Sequence, residues 1–341
     1  MRVLVTGMIA GLDDREYLEK VLKLCASKGL TVRMFHLLDM VTNEGKKPLE
    51  KMLGTTDYIF ELTREREWIR IGYEIEKGHS ENVVVRAPAT IEWNRINRKC
   101  KDAKYIRQYI NPDMIVTLID AEWLIQQRLD KPPKNDPFLK AIKEKNHTIY
   151  EILSWMNEEV SLSEDWAKAM GVRHIVLATR QPPESLYQLI RYSKAHTFYA
   201  SYCMTHADTH VRKQVNEVIR RLSTYGVVID PQNIEIGTHF KDFRDKEAIY
   251  AYTVHRDLHW FVGKVDSTVA IHPYLERPPL STGMMDELGH ARDYHKNRYM
   301  IYPKGLSPFT TDSYLEKGRL FDTADQFFEH LENVEGFKPL D

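Results

Sequence analysis

The chain has few cysteines and no long hydrophobic run. Its three cysteines, Cys25, Cys100 and Cys203, are odd in number and far apart, which fits a reducing compartment and gives no disulfide framework. The sequence opens directly on the strand-like run 2–6, without a signal-peptide pattern, and no apolar run approaches the length of a membrane-spanning helix. We therefore expect a cytoplasmic protein without a membrane partner.

The chain also lacks a block of charge of one sign. Its 48 lysines and arginines nearly balance 49 acidic residues, for a net charge of -1. Such a balance argues against a nucleic-acid polymer as partner, although a small anionic ligand needs only local positive groups. At 341 residues the chain exceeds the usual size of one domain, so we expect two.

Strands alternate with helices along the first half, which predicts a parallel sheet covered by helices. The candidate strands are 3–6, 31–35, 82–86, 114–119 and 174–178. Helical spacing of apolar residues predicts helices around 15–28, 62–77, 97–109, 121–129, 138–168 and 184–194.

A second alternating stretch begins near residue 195. It predicts strands at 197–202, 227–229, 267–271 and 298–302, with helices at 211–225, 245–262 and 284–294. The fold class is therefore α/β, with two doubly wound parallel-sheet domains at 1–194 and 195–305 and a helical extension at 306–341. Ligands of such sheets bind beyond the carboxyl ends of the strands.

The turn after the first strand runs from Gly7 to Arg15 and has the strand, glycine turn, helix order of a phosphate-binding loop. Together with the segments 87–93 and 111–117, it gives residues 1 to about 190 a resemblance to a small P-loop nucleotide kinase of the archaeal adenylate kinase type. Asp13 and Asp14 stand where that family has its lysine and hydroxyl residue, and phosphoryl transfer needs positive groups there.

That resemblance implies a degenerate kinase fold that scaffolds, dimerises or senses a nucleotide, with Gly7 and Gly11 as possible nucleotide-binding residues. An alternative is that these two glycines only make a tight turn in another doubly wound fold.

The segment 279–291 places a hydroxyl, a glycine and a carboxylate where a strand gives way to a helix. Amide groups and Ser281 can face a phosphate there, while Glu287, farther along the helix, can face a sugar carbon as a nucleophile. In the alternative interpretation, Glu287 and Asp286 complement the helix dipole and Ser281 caps the helix.

The segments 255–260, 265–270, 281–283 and 287–291 together resemble the nucleoside 2-deoxyribosyltransferase superfamily, and most closely its 5′-monophosphate N-glycosidases. The resemblance covers about residues 195–305. It implies that Glu287 attacks or stabilises the anomeric carbon and that Asp257 assists near the sugar and the leaving base. Transferases of free nucleosides carry aspartate at the position of Ser281, so serine implies a nucleoside monophosphate substrate.

Further candidate residues follow from this resemblance. Substrate-binding roles are expected for Ser201, Tyr202, Thr282 and Gly283, and either Tyr199 or Tyr202 can orient Glu287. Water as the acceptor would give a hydrolase, and a second base would give a transferase. The resemblance implies a homo-oligomer whose neighbouring subunit completes the site, and no cofactor.

Several residues allow other interpretations. Asp257 could be a solvated residue paired with Arg256, and Asp266 is expected to be structural. Histidines at 206, 210, 290 and 295, with Asp208, could suggest a metal, but they lack a compact ligand pair, so we expect none. The loop at 206–210 could instead contact phosphate together with Arg212.

Two functions of other classes remain open at this stage. One is a nucleotide-binding sensor in which both domains bind without turnover. The other is a nucleotide kinase with an unusual phosphate loop.

Overall fold

The structure is a computed structural model that describes residues 1–78, 82–93, 96–132, 136–144, 147–203, 209–234, 243–272, 281–303 and 314–340. The chain divides into two compact units. The first comprises residues 1–193 with 236–249, and the second comprises 194–235 with 250–341. Within the described ranges, every helix is too short or too polar to cross a bilayer.

The first unit is built on a five-stranded sheet in which every pairing is parallel. Its strands are β1 (Arg2–Thr6), β2 (Val32–His36), β3 (Asn82–Arg86), β6 (Met114–Ile119) and β7 (Arg173–Ala178), in the order β2-β3-β1-β6-β7. A separate antiparallel hairpin joins β4 (Thr90–Trp93) to β5 (Ile96–Lys99). Strands β3 and β6 are buried along their whole length, as their continuous apolar runs predict for a sheet covered on both faces.

Helices connect these strands. They are α1 (Asp14–Ser27), α2 (Leu37–Glu44), α3 (Leu49–Leu53), α4 (Asp57–Lys77), α5 (Ala103–Tyr105, continued by a π-helical turn at Ile106–Ile110), α6 (Glu122–Asp130), α7 (Pro137–Lys143), α8 (Ile149–Met170) and α9 (Pro183–Arg191). The parallel sheet and the positions of its five strands agree with the expectation from the sequence.

Two predicted helices of this unit are wrong in part. The stretch 97–109 begins in strand β5, because its first residues pair with β4, and cross-strand pairing outweighs a weak helical pattern. The stretch 138–168 is two helices rather than one. Thr148 accepts a hydrogen bond from the N–H of Glu151, whose carboxylate accepts one from the N–H of Thr148, and this capping box starts a new helix.

The second unit also has a five-stranded parallel sheet. Its strands are β8 (Thr197–Ser201), β9 (Val227–Ile229), β10 (Ser267–Ile271), β11 (Asn297–Ile301) and β12 (Leu320–Phe321), in the order β12-β11-β10-β8-β9. Counted within the unit this is the 2-1-3-4-5 order, whose switch point for ligand binding lies between its first and third strands. Here those strands are β8 and β10. Both sheets confirm the α/β fold class.

The helices that carry residues of the second unit are α10 (Thr209–Leu222), α11 (Phe243–His255, of which residues 250–255 belong to this unit), α12 (Thr282–Asp293) and α13 (Ala324–Asn333). Helix α11 continues as a π-helical segment over Arg256–Val262, so the single α-helix predicted at 245–262 is wrong in its second half. Such π-helical segments are uncommon and occur frequently at functional sites.

Alternation along β8 assigns its side chains to opposite faces of the sheet. Phe198, Ala200 and Tyr202 join a core with residues of α10 and α13. On the other face, Ala270 of β10 packs with Met284 and Leu288 of α12. Because Tyr199 and Ser201 pair in register with Thr268 and Ala270, their side chains project toward α12.

Candidate functional site

Glu287 lies on α12 and its carboxylate is held by two hydroxyl groups. Tyr199 donates its O–H to Oε1 of Glu287 at 2.8 Å, and Ser201 donates its O–H to Oε2. Both donors come from β8, two residues apart on the same face. The carboxylate is half-buried and is fixed in orientation at the carboxyl end of a strand that borders the switch point.

Tyr202, the other tyrosine considered for this contact, points elsewhere. Its O–H donates to Oδ1 of Asp230 at 2.7 Å, and the ring joins the core on the opposite face of the sheet. Asp230 also accepts from the N–H of Gln232, and burial raises the pKa of its carboxyl. The structure therefore brings Tyr199 and Ser201 to Glu287, but not Tyr202.

The N-terminus of α12 presents the remaining predicted binding residues. Ser281 is the N-cap residue, but its hydroxyl makes no capping hydrogen bond to the helix. Thr282 and Gly283 are exposed in the first turn. The helix therefore begins with exposed residues and a serine hydroxyl that the cap does not use. Residues 273–280, which precede Ser281 in the chain, lie outside the described residues.

Asp257 stands at the start of the π-helical segment and is buried. Its Oδ1 accepts a hydrogen bond from Nε of the buried Arg256 at 2.8 Å. Asp257 is therefore paired with Arg256, as the alternative interpretation expected, but it is buried rather than solvated. The segment packs against α12, and Phe261 stacks on the Tyr199 ring with centroids 6.2 Å apart. The segment that carries Asp257 is therefore packed against the helix that carries Glu287.

Arg256 and Phe261 were not predicted as site residues. The pairing of Arg256 with Asp257 was expected only in the alternative interpretation of Asp257, whereas the stacking of Phe261 on Tyr199 depends on the fold.

The other polar residues have separate positions. Oδ2 of Asp266 accepts from the N–H and the hydroxyl of Thr197, both at 2.8 Å, which ties β10 to β8. Burial lowers the pKa of His272 to about 4. His206 and Asp208 lie outside the described residues, while His210 and Arg212 are on α10. Within the described ranges, no three histidine, cysteine or acidic side chains are grouped to hold a metal ion.

In the first unit, the turn that follows β1 is tied to the chain's own polar groups. The N–H of Gly7 donates to Oε1 of Glu159 at 2.7 Å. Arg86 donates to the carbonyl oxygen of Gly7 at 2.8 Å and forms a buried ion pair with Asp14. An amide that faces phosphate in a phosphate-binding loop is here hydrogen-bonded to a carboxylate.

The backbone conformation of the turn accounts for glycine at positions 7 and 11. Their φ angles are 150° and 75°, in the region that side chains disfavour. A Cβ on Gly7 would come within 2.9 Å of the carbonyl oxygen of Leu118. These contacts fit the tight-turn interpretation without any ligand.

Two carboxyl groups are buried behind this turn. Glu159 also accepts from the N–H groups of Ala89 and Thr90 and from the Thr90 hydroxyl, at 2.6–2.8 Å. Glu92 is also buried, and the backbone N–H groups of Ile9 and Ala10 lie beside its carboxyl. Burial, and then the neighbouring Glu159, raise the pKa of Glu92 to about 8. Glu92 is therefore mostly protonated at pH 7.

A cleft of about 610 Å³ opens beside the turn. Cationic side chains that line it are Arg15, Arg86, Arg128 and Lys131. Three of these are neutralised by aspartates, in the pairs Arg15–Asp39, Arg86–Asp14 and Arg128–Asp120. The cleft has the size of a small-molecule site, but most of its positive charge is already paired.

Replacing Glu92 by glutamine should make the first unit more stable at alkaline pH. The carboxyl of Glu92 has a pKa of about 8 in the folded protein and about 4.3 in the unfolded chain. At pH values between about 4.3 and 8 the folded protein therefore binds one more proton at this group than the unfolded chain does. Its contribution to the free energy of unfolding therefore falls as pH rises through that window. Glu92→Gln should gain on the order of 4 kcal/mol over wild type at pH 8 and about 1 kcal/mol at pH 5.

Urea denaturation at the two pH values, followed by tryptophan fluorescence, measures this difference, since Trp260 alone of the six tryptophans is in the second unit. The exposed Glu16, paired with Lys20, provides the control Glu16→Gln, with an expected change under about 0.5 kcal/mol. Parallel pH profiles for Glu92→Gln and wild type would contradict the prediction.

Comparison with known proteins assigns no family to the chain. No family model matches the chain, and no curated protein matches it. Among solved structures, it is similar to a shikimate kinase from Bacteroides thetaiotaomicron at 11% identity and a TM-score of 0.33, over 65% of this chain and 98% of that one. Neither value is high enough to assign a substrate or an activity.

Proposed function

We propose that the second unit hydrolyses the N-glycosidic bond of a nucleoside 5′-monophosphate, with Glu287 as the nucleophile. The observation that carries this proposal is the pair of hydrogen bonds that Glu287 accepts from Tyr199 and Ser201. One carboxylate, oriented by two hydroxyls at the switch point of a parallel sheet, suits attack on a sugar carbon. The resemblance of the segments around Asp257 and Glu287 to the 5′-monophosphate N-glycosidases supports the same chemistry.

The reaction follows from the charges that develop. An oxygen of Glu287 bonds to the anomeric carbon as the carbon–nitrogen bond breaks, and the electron pair of that bond leaves with the base. The base takes up a proton, for which we propose the Asp257 carboxyl as the donor. Water then attacks the same carbon, returns a proton to Asp257 and frees Glu287, so one water is consumed per base released.

The phosphate would bind at the N-terminus of α12. Ser281 keeps its hydroxyl out of the cap, and the first turn beyond it is exposed. Amide groups at a helix N-terminus favour anions. Glu287 follows Ser281 by six residues, or about 9 Å along the helix axis at 1.5 Å per residue. One helix would then bind the phosphate at its start and present the nucleophile farther along.

Glu287→Gln should abolish base release. The amide keeps the size of the side chain but is a poor nucleophile and carries no negative charge to stabilise the sugar cation, so we expect a loss on the order of 10³-fold or more in kcat. Chromatographic detection of free base, from a panel of nucleoside monophosphates and nucleosides, measures it.

The control is Asp286→Asn, which removes an exposed carboxylate from the same helix and should leave the rate within about threefold. Undiminished release by Glu287→Gln would refute the catalytic role. Binding of a monophosphate without any base release by the wild type would favour the sensor instead.

Tyr199→Phe should lower kcat with little effect on KM. It removes one of the two hydroxyls that orient Glu287, and a hydrogen bond to a charged group contributes about 1.5–3 kcal/mol, so the loss should be roughly 10- to 100-fold. Tyr225 gives a matched control, because its hydroxyl also donates to a glutamate, Glu332. Tyr225→Phe should keep the wild-type rate, and equal losses in the two variants would mean that Tyr199 acts only through stability.

Ser281→Asp should weaken use of nucleotides without weakening use of nucleosides. A carboxylate at the start of α12 would repel the 5′-phosphate, and we expect KM for a monophosphate to rise roughly tenfold or more. The nucleoside with the same base is the internal control, since it lacks the phosphate. A parallel change for both substrates would show that Ser281 does not contact the phosphate.

A further inference from the structure

Three histidines and a tyrosine form a row between the π-helical segment and α12. Nε2 of His290 lies 3.3 Å from Nδ1 of His259, and the hydroxyl of Tyr294 lies 3.0 Å from the same Nδ1. The rings of His255 and His259 have centroids 4.7 Å apart. His255 is the last residue of α11, and His259 lies in the π-helical segment that carries Asp257. His290 lies on α12, and Tyr294 directly follows that helix.

The row joins the two elements that carry the proposed acid and nucleophile. His259 follows Asp257 by two residues, and His290 lies one helical turn after Glu287, on the same side of α12. The contact between His259 and His290 is a polar link between these two elements.

We infer that His259 and His290 are positioning residues, whose hydrogen bond fixes the separation of Asp257 from Glu287. This inference rests on the proposed N-glycosidase function. Neither imidazole needs to touch the substrate. A displacement near 1 Å between reacting groups can cost about 10²-fold in rate, so a link between the two helices has catalytic value.

The hydrogen bond requires a neutral ring. One imidazole donates and the other accepts, so two protonated rings would have no acceptor and would repel each other. Burial, and then the neighbouring His259, lower the pKa of both His255 and His290, while Asp293 acts in the opposite sense on His290. Within the row, the hydroxyl of Tyr294 also contacts His259, and the ring of Trp260 faces His255. At pH 7 the link is therefore intact.

The test compares His290→Ala with His290→Gln in the full chain. Glutamine can place an amide N–H where Nε2 of the histidine stands, but it does not titrate. We expect His290→Ala to lower kcat for base release about tenfold or more, with KM changed less than threefold. His290→Gln should restore most of the rate at pH 7.5 and should lose less activity than the wild type between pH 7 and 5.5.

His330→Ala is the control, because His330 contacts Glu335 in the same unit and lies outside the row. It should leave both the rate and the pH profile unchanged. A wild-type kcat in His290→Ala would overturn the inference, and so would a glutamine variant no better than the alanine variant.

Histidine NMR titration separates this inference from the proposed function. In the wild type, the pKa of His290 should lie below the ordinary value for histidine, and His259→Ala should raise it by removing the adjacent ring. A pKa of His290 that is not lowered, and that does not change in His259→Ala, would overturn the link whatever the activity. A coupled titration in a protein that releases no base from any substrate would instead refute the N-glycosidase and the positioning role with it.

Discussion

The geometry of the candidate site in the second unit depends on which face of the sheet each side chain of β8 occupies. Because successive side chains of β8 point to opposite faces, Tyr199 and Ser201 reach Glu287, whereas Tyr202 packs into the core and donates to Asp230. A shift of one residue in register would exchange these sets and leave Glu287 without its hydroxyl donors. The buried pairing of β8 with β9 and β10 therefore determines the geometry of the candidate site as well as the fold.

The two units each contain a glutamate at the carboxyl ends of the strands, Glu159 in the first and Glu287 in the second, and the two differ in burial and in hydrogen-bond donors. In the first unit Glu159 is buried and collects the N–H groups of Gly7, Ala89 and Thr90, so donors at the carboxyl ends of the strands are used within the chain. In the second unit Glu287 is half-buried and accepts hydrogen bonds from the hydroxyls of Tyr199 and Ser201. Structural carboxylates gain stability from complete hydrogen bonding, whereas a nucleophile needs an accessible oxygen.

Sequence patterns located the elements better than they located the contacts. Continuous apolar runs such as Val83–Val85 predicted the buried strands, because both faces of a parallel sheet are covered. The hairpin of β4 and β5 was missed, since pairing at long range outweighs local spacing. The hydrogen bond from Tyr199 to Glu287 was anticipated only by a family resemblance, and that from Gly7 to Glu159 had no local signal, because 152 residues separate the two.

Helix α12 combines support and function through an offset of one residue. Met284, Leu288 and Ala291 recur at helical spacing and are buried, which anchors the helix on the sheet. Glu287 directly precedes the buried Leu288, and His290 directly precedes the buried Ala291, so both lie beside the buried stripe on the surface of the helix. Both side chains are half-buried. A group at such a boundary can be fixed by packing on one side and still meet a ligand on the other.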